Sequence, residues 1–253
     1  DRALTVNNVT VNEGSPYAVF TVGGKEGQLL KLDLAGVSAT AGADFTNALE
    51  YWNGTAWTAY TPGSYVTMPS NGTAPANEST NLLVRVAIAN DTVSDNGETF
   101  TLTATNTGGT ATVGTGTIAD DGTGTLFATT SSAGGVTSGS SLTPTPQTST
   151  AADPASTPVV NPASTTLLND DRALTVNNLT VNEGSGYAVF TVGGKEGQYV
   201  QLGLASSSAT AGSDFTNAIE YWNGTAWTAY TPGNFVLIPS DGDSTATEAA
   251  NLL

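Results

Sequence analysis

Residues 82–122 read LLVRVAIANDTVSDNGETFTLTATNTGGTATVGTGTIADDG. Leu82, Val84, Val86 and Ile88 fall on one face of an extended chain, and Phe100 and Leu102 share another. A period of two marks strands with one face in a core, and no segment of the chain sustains the 3.6-residue period of a helix. Upstream, further short apolar runs carry the same signal: Leu4–Val6, Val9–Val11, Tyr17–Val22, Leu29–Leu34, Leu49–Trp52, Thr55–Tyr60 and Tyr65–Met68. With Leu82–Ala89, Thr99–Ala104 and Thr110–Ile118 they make a series of short strands punctuated by turns. The expected fold is all-β, a Greek-key antiparallel β-sandwich of immunoglobulin-like type, about a hundred residues per module. Asn53-Gly54, between two aromatic runs, predicts a two-residue type I′ hairpin, because both residues accept positive φ. Asn71-Gly72 and Asn96-Gly97 mark further turns, and the N-glycosylation sequons they resemble or adjoin are read as turn chemistry.

The chain repeats itself. DRALTVNNVTVNEGSPYAVFTVGGKEGQ at Asp1 returns as DRALTVNNLTVNEGSGYAVFTVGGKEGQ at Asp171, and EYWNGTAWTAYTPG occurs at Glu50–Gly63 and again at Glu220–Gly233. The period of about 170 residues suits whole domains in tandem rather than solenoid units. A complete domain is expected over residues 1–122 and a linker over 123–169. Residues 170–253 are expected to form a partial second copy without the C-terminal strands, within a mature segment cut from something longer. Prolines 144, 146, 154, 158 and 162 stiffen the Ser/Thr-rich linker toward polyproline II. Val136, Leu142 and the pair Val159–Val160 leave an alternative, in which the linker lies along a neighbouring domain or adds an edge strand.

Six Lys and Arg against 22 Asp and Glu give a formal charge of −16, which repels a phosphate backbone and argues against nucleic acid as a partner. Cysteine and histidine are both absent, so disulfides, thiol catalysis, thiolate or imidazole zinc sites and His-based triads are excluded. No apolar run approaches the roughly 20 residues of a membrane-spanning helix. No nucleotide-binding, nucleophile-elbow or metal-hydrolase motif occurs, and the chain is read as non-enzymatic.

The acids of the first module fall at strand ends and turns: Glu13, Asp44, Asp91, Asp95, Glu98, Asp120 and Asp121. In a sandwich, loops from one end of several strands converge, so these carboxylates can meet at one pole. Two carboxylates about 4 Å apart repel by roughly 4 kcal/mol at an effective dielectric near 20, so convergence calls for a cation. Calcium fits such an oxygen-only set because it accepts six to eight ligands in loose geometry, although the spacing is not that of an EF hand. The other reading of the acids is solvation of surface turns.

VNEGSPYAVFTVGG, SATAGADFT, VAIANDTVSDNGETFTLT and GTGTIADDG resemble, in order, the signatures of the Calx-β domain family. The resemblance covers Val9 to Gly122 and the second copy as far as it goes. It implies a sandwich whose acidic end-loops hold calcium, with Glu13, Asp44, Asp91, Glu98, Asp120 and Asp121 as ligands and Asp95 nearby. In the second copy it implies Glu183 and Asp214, preceded by the pair Asp170 and Asp171. Asn90, and Asp95-Asn96-Gly97 in place of a more acidic turn, imply weaker binding, roughly 0.1 to 1 mM. The tandem arrangement is similar to that of very large bacterial surface adhesins exported by type I secretion. The resemblance implies an extracellular, cell-surface spacer or extender in adhesion or biofilm, articulated by the linker, with neighbouring repeats of the same or identical chains as partners. Two alternatives stand beside it. One is a subunit of an extracellular filament or surface layer, in which neighbouring chains complete the partial sandwich. The other is a carbohydrate-binding module that stacks surface glycans on Trp57 and Trp227.

Overall fold

The structure, a computed structural model, describes residues 2–70, 79–127, 160–161, 169–240 and 249–253. It divides into two compact units, Asp1–Ser149 and Thr150–Leu253. Among the described residues every regular element is a strand, and no helix is long and apolar enough to cross a membrane.

In the first unit the strands are β1 (Thr5–Val6), β2 (Val9–Asn12), β3 (Tyr17–Lys25), β4 (Leu29–Gly36), β5 (Phe45–Trp52), β6 (Trp57–Ala59), β7 (Val66–Thr67), β8 (Ser79–Ile88), β9 (Glu98–Asn106) and β10 (Ala111–Ala119). Each corresponds to one of the alternating runs read from the sequence. They form two five-stranded sheets, ordered β1-β3-β8-β5-β6 and β2-β10-β9-β4-β7. Pairing is antiparallel with one departure: β2 runs parallel to β10, with Val9 opposite Gly116 and Asn12 opposite Ala119.

The sheets meet through aromatic side chains. Phe20 of β3 and Phe45 of β5 both contact Phe100 of β9, with ring centroids 5.8 Å and 4.9 Å apart. Gly116 lies opposite Phe100 in the ladder, and a Cβ there would fall 2.4 Å from the ring, so the missing side chain makes room for the central aromatic. Val22, Leu30, Leu82, Val84, Val86 and Leu102 complete the buried layer. Leu83 and Arg85, on the opposite face of β8, are buried as well. The Arg85 guanidinium lies 3.8 Å from the centroid of Tyr17 and 4.4 Å from that of Trp57, and its Nε donates to Glu50 at 2.6 Å.

Two sequence expectations are corrected here. The β5–β6 hairpin has no two-residue type I′ turn. Trp52 pairs directly with Trp57, which leaves a four-residue loop. Asn53 Oδ1 accepts from the backbone N–H groups of Thr55 and Ala56, both at 2.9 Å, so the asparagine side chain closes a wider loop than Asn-Gly alone suggests. Residues 123–127, read as the start of the linker, belong to the first unit. Thr125 bridges Val11, the N–H of Phe127 donates to Ser15 Oγ at 3.0 Å, and Leu126 and Phe127 are buried. Composition pointed to a linker, but the two large side chains find a core edge. The turn at Asn71, Val136, Leu142, Val159 and the linker prolines lie outside the described residues.

The second unit contains β11 (Val160–Asn161), β12 (Thr175–Val176), β13 (Val192–Lys195), β14 (Tyr199–Val200), β15 (Glu220–Trp222), β16 (Trp227–Ala229), β17 (Phe235–Leu237) and β18 (Ala249–Leu252). Its sheets are β11-β17-β14, β12-β13-β18 and β15-β16. Val200, Tyr221, Tyr230, Val236, Ile238 and Leu252 form its core. Residues 160–161 take the edge-strand alternative rather than the extended-linker one.

Candidate metal centre

One end of the first unit gathers the acidic loops, because the ends of β2, β8 and β10 and the starts of β5 and β9 meet there. Asp44 closes the turn before β5. Its Oδ2 accepts from Thr40 N–H at 2.5 Å, while its carbonyl accepts from Ala89 N–H at 2.9 Å just beyond β8. Gly42, with φ of 93°, supplies the left-handed residue that this turn needs. Asp91 and Asp95 lie in the loop from β8 to β9, and Glu98 is the first residue of β9.

Carboxylate oxygens of Asp44, Asp95 and Glu98 all lie within 4.8 Å of one another. Burial pushes the Glu98 carboxyl up to about 7, aided by a hydrogen bond with Asp44 and by the charges of Asp44, Asp95 and Asp91. The proton relieves a repulsion that a cation would relieve better. The donor set is carboxylate oxygen alone, the chemistry of a hard ion such as calcium rather than of zinc or copper. Asp44, Asp95 and Glu98 would hold it, with Asp91 close enough to add to the field.

A second group sits deeper at the same end. Glu13 and Asp120 are 5% and 1% exposed, with carboxylate oxygens within 4.8 Å of each other. Glu13 Oε1 accepts from the N–H of Asp91 at 3.1 Å, which ties this pair to the β8–β9 loop. Asn96 is the link the sequence reading missed. Its Oδ1 accepts from Asp120 N–H and its Nδ2 donates to Asp121 Oδ2, both at 3.0 Å. The sequence marked Asn96 only as a turn residue before Gly97. Asp121 also accepts from the N–H and hydroxyl of Thr123, so it serves to fold its own turn.

In the second unit, Asp214 repeats the geometry of Asp44, with its Oδ2 accepting from Thr210 N–H at 2.7 Å. Glu183 and Asp214 are both exposed, and among the described residues neither joins a three-acid group. Asp170 is held by the Arg172 guanidinium at 2.5 Å, and Asp171 Oδ2 accepts from Asn169 Nδ2 at 3.4 Å.

The aromatic hairpins make internal ring contacts, although Trp227 is 44% exposed. Trp52 and Trp57 contact edge to face at 5.6 Å, as do Trp222 and Trp227 at 5.8 Å. One face of Trp57 carries Arg85. Tyr60 donates to Ser64 O and accepts from Leu32 N–H, and Tyr230 repeats both bonds with Asn234 and Leu202. These rings pin each hairpin to the neighbouring strand.

No family model matches the chain, and no curated protein matches it.

Proposed function

We propose that this chain is a non-enzymatic, calcium-supported repeat segment of an extracellular bacterial surface protein, built from immunoglobulin-like sandwiches of Calx-β type and serving as a spacer or adhesin extender. The observation that carries the calcium reading is the convergence of Asp44, Asp95 and Glu98 within 4.8 Å, with a Glu98 carboxyl pushed up to about 7. Such a group is unfavourable without a positive charge, and calcium, binding only the folded arrangement, stabilises it by mass action. The spacer role is supported by the near-identical repeat at a period of about 170 residues and, in the first unit, by Trp57 packing against Trp52 and Arg85.

Thermal unfolding in millimolar calcium and in chelator tests the reading. The first unit should melt higher in calcium. Asp44→Asn, which keeps an acceptor for the Thr40 N–H, should remove most of that difference while the variant still folds. Equal melting temperatures for the parent chain in calcium and chelator would overturn it.

A further inference from the structure

Arg2 and Phe127 are anchored at opposite ends of the first unit. The carbonyl of Arg2 accepts from Gln28 Nε2 at 2.6 Å and from Asn106 Nδ2 at 3.0 Å, which places it where β9 finishes and β10 is about to begin. Phe127 is held at the acidic end, its N–H donating to Ser15 Oγ at 3.0 Å just beyond the close of β2. Between these anchors β2 is gripped on both edges by chain that follows it in sequence and runs in its own direction. On one edge Val9–Asn12 pair parallel with Gly116–Ala119 of β10, and Glu13 N–H donates to Ala119 O at 2.8 Å. On the other edge Thr125 bridges Val11 in parallel. Thr125 N–H donates to Thr10 O and Asn12 N–H to Thr125 O, both at 3.1 Å. The buried Asn12 joins the two edges, its Nδ2 donating to Ala119 O at 3.3 Å and to Thr123 O at 2.8 Å.

We infer that β2, β10 and the strap Thr123–Phe127 form a mechanical clamp, by which the first unit resists tension along the chain. Tension draws Arg2 away from one end of the unit and Phe127 away from the other. Because β2 is parallel to both of its partners, that pull slides it lengthwise against them. A hydrogen bond weakens steeply once distance and alignment are lost, so in sliding the bonds across both edges fail together over a short displacement. Had the entering and leaving strands paired antiparallel, the same pull would open the ladder one pair at a time. Each step would then lengthen the chain by whole residues, spreading the same energy over a longer path and a lower force. The clamp is made of main-chain groups, the Ser15 hydroxyl and the Asn12 carboxamide, and uses none of the carboxylates of Asp44, Asp95 and Glu98. It rests on the spacer reading for its use, since a spacer transmits tension, and on strand direction alone for its strength.

Single-molecule stretching of the full chain tests the clamp. The sequence has no cysteine, so two introduced ones serve as unique handles. A cysteine added before Asp1, combined with Ser140→Cys, pulls the first unit from opposite ends. The same added cysteine combined with Thr107→Cys, in the exposed turn after β9 and next to the Asn106 that holds Arg2, pulls from one end and peels β2 from β10. The unfolding force should be several-fold higher for the first pair of handles, in chelator as in calcium. Thr125→Pro, which loses the N–H donated to Thr10, should lower the force of the first pair by more than that of the second. Equal forces for the two pairs, or a first-pair force that Thr125→Pro leaves intact, would overturn the clamp. Calcium-insensitive melting with a force that still depends on the direction of pulling would remove the metal reading and leave the clamp standing.

Discussion

Glu98 concentrates the electrostatic cost of the acidic end. Its carboxyl is raised by burial first and then by Asp44, Asp95 and Asp91, to about 7 from an ordinary value of 4.5. Between those values the folded chain holds a proton that the unfolded chain has released. Stability of the metal-free first unit should therefore fall as pH rises from about 4.5 to about 7. Calcium, which requires the ionised form, should bind more tightly across the same interval. Melting curves at stepped pH in chelator check the first statement. Glu98→Gln should flatten that dependence, raise the metal-free melting temperature at pH 7 and lose the calcium response. A Glu98→Gln variant as pH-sensitive as the parent would assign the titration elsewhere. The acids themselves were legible in the sequence, because carboxylates at strand ends can only converge at one pole or the other. Asn96 was not, since its two contacts, to Asp120 N–H and the Asp121 carboxylate, depend on loops about 24 residues away along the chain.

At the level of the strand, the short apolar runs were enough to find every described element of the first unit, although β3 and β8 also bury residues on the face away from the two-sheet core. Pairing partners were less legible. The parallel β2–β10 ladder joins residues more than a hundred positions apart, and no local pattern encodes it. Arg85, a lone charge in the apolar run LLVRVAIA, was the signal of a built outer face that a two-period reading passes over. Arg85→Met should destabilise the first unit by about 2 kcal/mol, by loss of the Glu50 hydrogen bond and both ring contacts, as read by urea unfolding. Phe100→Ala should cost more, about 3–5 kcal/mol, because the ring joins both sheets. Gly116→Ala fails for the opposite reason, forcing a methyl against the same ring.

Across the whole molecule, the two copies share sequence, and the second runs here to the counterpart of Leu83. Tyr17–Thr21 in β3 pair with Leu83–Ala87, and the 253 residues contain no counterpart of Val84–Ile88. Residues 187–191 accordingly lie outside any strand, with Tyr187 78% exposed and Phe190 41%. Hydrogen exchange should show it, with amides of residues 18–22 strongly protected and those of residues 188–190 exchanging early in the same sample. The charge of −16 adds a diffuse attraction for cations, but among the described residues only the first unit brings three of its own carboxylates within 4.8 Å. Calcium titration calorimetry on the full chain at pH 7 tests this most directly. The account predicts saturable binding in the first unit, with proton release that disappears in Glu98→Gln and affinity that collapses in Asp44→Asn. Absence of saturable heat, or binding that both variants leave intact, would contradict it.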